Sequence, residues 1–162
     1  MKLFNIFKKL HKKNYSIIIF IFLRGEWTGK EMLEKKRIKA TATTPEIILN
    51  PEGYMAIRGR SLSGEVKDLP SEVEIWLDKY LEAPAEITMI DLHLEYIGGF
   101  KSGYYIEIVR KIKTVLLQGK KLNVNWYYEE GDEDILEKGE CFSLFLDLPF
   151  NFIMIKDPSL TL

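Results

Sequence analysis

Three side chains near the middle of this 162-residue sequence have types and spacing suited to metal or acid–base chemistry. In ITMIDLHLEYI, Asp91, His93 and Glu95 occur at every second position, which places them on one face of a strand. Two carboxylates and an imidazole on one face are the ligands and proton carriers of small hydrolytic sites. His11 is the only other histidine and Cys141 the only cysteine, so no second ligand set converges on the trio. The plainer reading is the solvated face of a one-sided sheet, with Asn123 and Asn125 beside it. A metal-dependent enzyme built on Asp91, His93 and Glu95 is therefore the lesser alternative, and no metal or cofactor is expected.

The other candidates are weaker as chemistry and stronger as recognition. WYYEEGDEDILEKGE concentrates Glu129, Glu130, Asp132, Glu133 and Asp134 but lacks the alternating ligands and closing glutamate of a calcium loop. Acidic residues ahead of a helix stabilise its positive end or form an acidic docking surface. GRSLSG lacks the Lys-Ser/Thr pair of a phosphate-binding loop and reads as a strand end followed by a loop. GGFKSGYY joins an apolar strand to a helix. Gly98 and Gly99 permit a tight turn, Ser102 is a helix cap, and the unpaired N–H groups there, with Lys101 alongside, would equally accept a phosphoryl group on Ser102.

The elements that carry these residues follow from periodicity. Glu46–Leu49 and Tyr54–Arg58 flank Asn50-Pro51-Glu52-Gly53 and predict a hairpin. LPSEVEIWLDKYLEAP predicts a helix with a Ser71/Glu74 capping box and a stripe of Val73, Trp76, Leu77, Tyr80 and Leu81. Thr88, Ile90, Leu92, Leu94 and Tyr96 form the apolar face of the next strand. A second long helix follows, with Tyr105, Ile108, Val109, Ile112, Val115 and Leu116 buried and Gly119 ending it. KLNVNWYY is a further strand, DEDILEKGE a short helix capped by Asp132, and SLFLDLPFNFIMI one or two closing strands. Strands alternating with helices, each strand with one apolar and one partly polar face, predict an α/β fold: a mixed sheet with helices mainly on one face.

Composition bounds the partners. Hydrophobic content of 46% and charged content of 29% are those of a globular domain with a real core. Residues 1–31 carry seven basic and two acidic residues, whereas the rest carries 16 basic and 22 acidic, so the body is acidic and nucleic-acid binding is not expected. The apolar run Tyr15–Leu23 is far short of the roughly 20 residues of a membrane-spanning helix. Residues 1–31 are read as an extension outside the domain. Gly29-Lys30-Glu31 before Met32 requires a purine-rich coding stretch like a ribosome-binding site, which makes Met32 the expected start. A membrane-surface anchor and a secretion signal are the second and third readings. A single cysteine suits a cytoplasmic protein.

The segments TPEIILNPEGYMAIRGRS, EIWLDKYL, LHLEY and NWYYEEGDEDILEKGE together resemble the SiaC family of bacterial regulatory phosphoproteins, over about Ile38 to Ile155. The resemblance implies a fold like the STAS domain of anti-sigma-factor antagonists in the region after residue 31. It implies a switch protein without catalysis of its own, phosphorylated by a cognate kinase and dephosphorylated by a PPM-type phosphatase. It implies an effector partner such as a diguanylate cyclase, with output in cyclic-di-GMP signalling and biofilm formation. The family's Gly-Glu-Ser is Gly59-Arg60-Ser61 here, and Arg60, Ser61, Glu129, Glu130 and Asp132 are the expected partner-binding residues. After LEY the family acceptor hydroxyl is the third residue of the motif, which falls on Gly99. The nearest hydroxyl is Ser102. Either Ser102 is the phosphoacceptor, or the chain is a constitutive binder without a switch.

Overall fold

The computed structural model describes residues 32–62, 71–97 and 102–156. In chain order the elements are β1 (Lys36–Ile38), β2 (Glu46–Leu49), β3 (Tyr54–Ser61), α1 (Ser71–Glu82), β4 (Ile87–Ile97), α2 (Ser102–Lys113), a 3-10 turn (Thr114–Gln118), β5 (Lys121–Glu129), α3 (Glu133–Leu146) and β6 (Phe150–Ile155).

The expected hairpin forms because its turn chemistry is satisfied locally. Asn50 Oδ1 accepts from the Glu52 amide at 3.0 Å, and the Gly53 amide donates to the Asn50 carbonyl at 2.9 Å. β1–β2 and β2–β3 are antiparallel, whereas β3–β4, β4–β5 and β5–β6 are parallel, and the six strands lie side by side in sequence order. Each parallel step needs a crossover helix of fixed hand, so three steps in one direction put α1, α2 and α3 on the same face.

That face is the core. Met55, Ile57, Ile90, Leu92, Leu94, Val124 and Trp126 from the strands meet Val73, Trp76, Leu77, Tyr80, Ile108, Val109, Ile112 and Phe142 from the helices. The stripes read from the sequence of α1 and of the second long helix are buried here, apart from Leu81, which packs at the margin, and Leu116. The Tyr80 hydroxyl and Thr88 Oγ1 share a hydrogen bond at 2.7 Å, which satisfies two polar groups inside the core.

Three expectations are corrected. The second long helix stops being α-helical at Lys113 and tightens into the 3-10 turn, which rotates Leu116 out of the stripe and into solvent. Gly119 does end it, in the left-handed conformation, its amide bonded back to Leu116 and Val115. The helix after Asp132 is not short: α3 runs 14 residues and takes in CFSLFL, so only one strand, β6, closes the sheet. Ile135, Gly139, Phe142 and Leu146 recur at helical spacing, and that stripe decides the matter. In β4 the pairing with β3 skips Glu95, since Gly59 faces Leu94 and Arg60 faces Tyr96. The bulge turns Tyr96 to solvent and buries Ile97 in its place. Among the described residues no helix is long and apolar enough to cross a membrane.

Candidate functional site

Because β3, β4 and β5 run parallel, the links that follow them leave the sheet at one rim. The link after β3 begins beyond Ser61, that after β4 leads into α2 at Ser102, and that after β5 is the turn Glu130–Asp132 before α3. Arg60, Ser61, Ser102, Glu129, Glu130 and Asp132, scattered in sequence, are thus gathered at one end of the sheet. Gly98, Gly99 and Lys101, the other residues expected around a phosphate there, lie outside the described residues, as do residues 1–31.

The rim residues do different work. Arg60 Nε lies 3.2 Å from Glu95 Oε2, so the bulged glutamate is tied to β3. Ser61 is only 1% exposed, in register with Ile97, and its hydroxyl makes no hydrogen bond. The Tyr105 phenol lies close by, and burial pushes it up. Asp132 caps α3, accepting from the Ile135 amide at 3.1 Å. The Glu130 amide donates to the Ile155 carbonyl at 3.0 Å, and Gly131 makes the turn at φ +87°. Glu129, Glu130 and Asp132 stay in this exposed or half-buried acidic turn. Tyr96 and Lys138, missed in the sequence, join the rim: the lysine ammonium sits 5.9 Å from the centroid of the exposed tyrosine ring.

The face opposite the helices carries a second polar group, and here the sequence reading needs correction. Asp91 is not a solvated side chain: it is 8% exposed. Its carboxylate accepts from the Tyr54 hydroxyl at 2.9 Å and from Asn125 Nδ2 at 2.8 Å. Arg58 Nη2 donates to the Tyr54 hydroxyl at 2.6 Å and stands 3.9 Å from Asp91. Asn151 Nδ2 donates to Asn125 Oδ1 at 3.1 Å and carries the network to β6. Register explains the assembly: Ala56, Asp91, Asn125 and Asn151 form one row across four strands, and Arg58, His93 and Tyr127 form the next.

Desolvation, and then the nearby Asp91 carboxylate, push the Tyr54 and Tyr127 phenols up. Burial pushes the His93 imidazole below its usual range, against the pull of Glu95. Asp91 is thus an anchored acceptor that fixes two aromatic and amide side chains in place. Among the described residues no three His, Cys, Asp or Glu side chains come together in a way that could hold a metal ion. Replacing Asp91 with alanine strands the Tyr54 and Asn125 donors and is expected to cost about 2 kcal/mol, read from the urea midpoint at constant slope. A loss within the scatter of surface variants would show that the network is ornamental.

The model of the SiaC family of regulatory phosphoproteins matches residues 38–155. The fold is similar to a chain in the crystal structure of the diguanylate cyclase SiaD in complex with its activator SiaC from Pseudomonas aeruginosa, with TM-score 0.65 and 22% identity, covering 74% of this chain and 99% of that one. It is similar also to SiaC of Pseudomonas aeruginosa (TM-score 0.64, 20% identity, 75% and 98% covered) and to apo-SiaC from the same organism (TM-score 0.61, 22% identity, 75% and 98% covered). No curated protein matches the chain. A family match running from the last residue of β1 to the last residue of β6 takes in β2 to β6 whole and both polar surfaces, and on that ground this chain belongs to the SiaC family of regulatory phosphoproteins.

Proposed function

We propose that this protein is a non-catalytic cytoplasmic signalling adaptor whose partner binding is set by reversible phosphorylation of Ser102 at the rim. A cognate kinase and a PPM-type phosphatase write and erase the mark. The effector is of the diguanylate cyclase class, by analogy with the SiaD–SiaC complex, which links the protein to cyclic-di-GMP and biofilm control.

The observation that carries this reading is electrostatic. α1 has Glu72 and Glu74 in its first turn and α3 has Glu133 and Asp134, but α2, which opens at Ser102, has no acidic residue in its first turn. Among the described helices the positive end of α2 is the one left uncompensated, and a phosphoryl group would supply the missing charge there. The rim beside it mixes Arg60 and Lys138 with Glu129 and Glu130, so an added dianion changes which partner surface is complementary.

Phosphopeptide mapping of the full chain after co-expression with its kinase is expected to place phosphate on Ser102. Ser102→Ala should abolish it and fix the protein in one partner-binding state. Phosphate on another residue with Ser102 unmodified would overturn the assignment. Consistent absence of phosphate would favour the second reading, a constitutive binder, which the glycine at position 99 supports.

A further inference from the structure

β6 is an outer strand of the sheet, hydrogen-bonded on one side to β5. The opposite outer strand, β1, is blunted as edges usually are: it has three residues, two of them Lys36 and Arg37, which pair with Glu72 and Glu46. β6 has none of these protections. Its six residues, FNFIMI, include no charge, proline or glycine, and Phe152, Ile153 and Met154 are 37%, 36% and 43% exposed. The strand is also rigidly backed, with Phe150 stacked on Trp126 at 6.2 Å and Asn151 tied to Asn125.

We infer that β6 is a self-pairing edge, at which two copies of this chain join antiparallel, β6 to β6, about a two-fold axis perpendicular to the sheet. Among the described residues no strand pairs with the outer side of β6, and such an edge of backbone N–H and C=O groups is complementary to another strand rather than to a helix or a small ligand. Such an axis keeps the two helical layers on the same side. Even-numbered residues Phe150, Phe152 and Met154 then oppose one another, and Asn151, Ile153 and Ile155 do the same on the other face. No register of this pairing brings two charges together, and Lys156 and its mate lie at opposite ends of the seam. The rival occupant, β1 of another copy, would set Lys36 and Arg37 against the phenylalanine and isoleucine side chains and would propagate head to tail without closing. The self-pair avoids both faults.

Sedimentation of the full chain tests this. The wild type is expected to dimerise at about 100 μM and to dissociate on dilution. Ile153→Lys and Ile153→Glu, which place like charges across the seam, should each weaken the dimer more than about tenfold, and a mixture of the two should restore it. In hydrogen exchange, β6 amides of the wild type should gain protection as concentration rises. A wild type monomeric at that concentration, a folded lysine variant that still dimerises, or β6 amides indifferent to concentration would each overturn the inference. Protection of β6 only on adding a diguanylate cyclase would also overturn it, and would assign the edge to a partner's strand. If either variant fails to fold, the exchange measurement on the wild type decides.

Discussion

Gly53→Ala is expected to destabilise the domain by about 3 kcal/mol or more, while Gly131→Ala costs about 1 kcal/mol. Both glycines have positive φ, +100° and +87°, so both replacements force an L-residue into the left-handed region. They differ in surroundings. A Cβ on Gly53 would lie 2.3 Å from the Ile87 carbonyl oxygen and 2.9 Å from the Ala85 side chain, whereas a Cβ on Gly131 meets nothing within 4 Å. The obstacle at Gly53 is backbone and cannot rotate away. The Gly53 carbonyl also accepts from the Met89 amide at 2.8 Å, so retreat of the turn breaks the first bond that docks the hairpin on β4. Urea denaturation of the two variants beside wild type measures the difference. Equal losses would mean that conformation alone, not the close approach, requires glycine at position 53.

The second large effect reverses a familiar sign. Glycine in a helix interior normally gains about 1 kcal/mol on replacement by alanine. Gly139 lies inside α3, yet Gly139→Ala is expected to lose about 2–3 kcal/mol. The new Cβ would sit 2.6 Å from Cε2 and Nε1 of Trp126 and 2.7 Å from Cδ1. The indole cannot yield. It is fully buried, donates to the Ile135 carbonyl at 3.0 Å, and is boxed by Phe142 edge-on at 5.4 Å and by Phe150. Combining Gly139→Ala with Trp126→Val removes every obstructing ring atom, so the double variant should be no less stable than Trp126→Val alone. Simple additivity of the two losses would show that the clash is not the cause.

What the sequence disclosed depended on how far apart the determining residues lie. β2, β3 and their turn were legible because both the strand alternation and the turn chemistry are local. α1 and α2 were legible because each carries an unbroken stripe. CFSLFL was ambiguous because a short apolar run suits a strand as well as a helix, and only its continuity with Ile135 and Gly139 selects the helix. The Glu95 bulge left no mark on the alternation of β4, so Tyr96 was placed on the wrong face. Asp91 was read as solvated because its partners, Tyr54 and Asn125, stand 37 and 34 residues away in sequence. Alternation reports which face a side chain takes and is silent about what meets it there. The rim was not legible from spacing: its residues lie far apart in sequence, and only the parallel order of β3, β4 and β5 brings their trailing ends together.

The sequence-order sheet bears also on how the protein comes into being. Strands that neighbour one another in space are neighbours in the chain, so each helix-and-strand unit can close against the part already made. A nascent chain emerging from the ribosome can therefore add to its sheet one strand at a time, without holding an early segment open for a late partner. At every stage the growing side offers a bare edge to the next strand. The finished protein keeps the last of those edges.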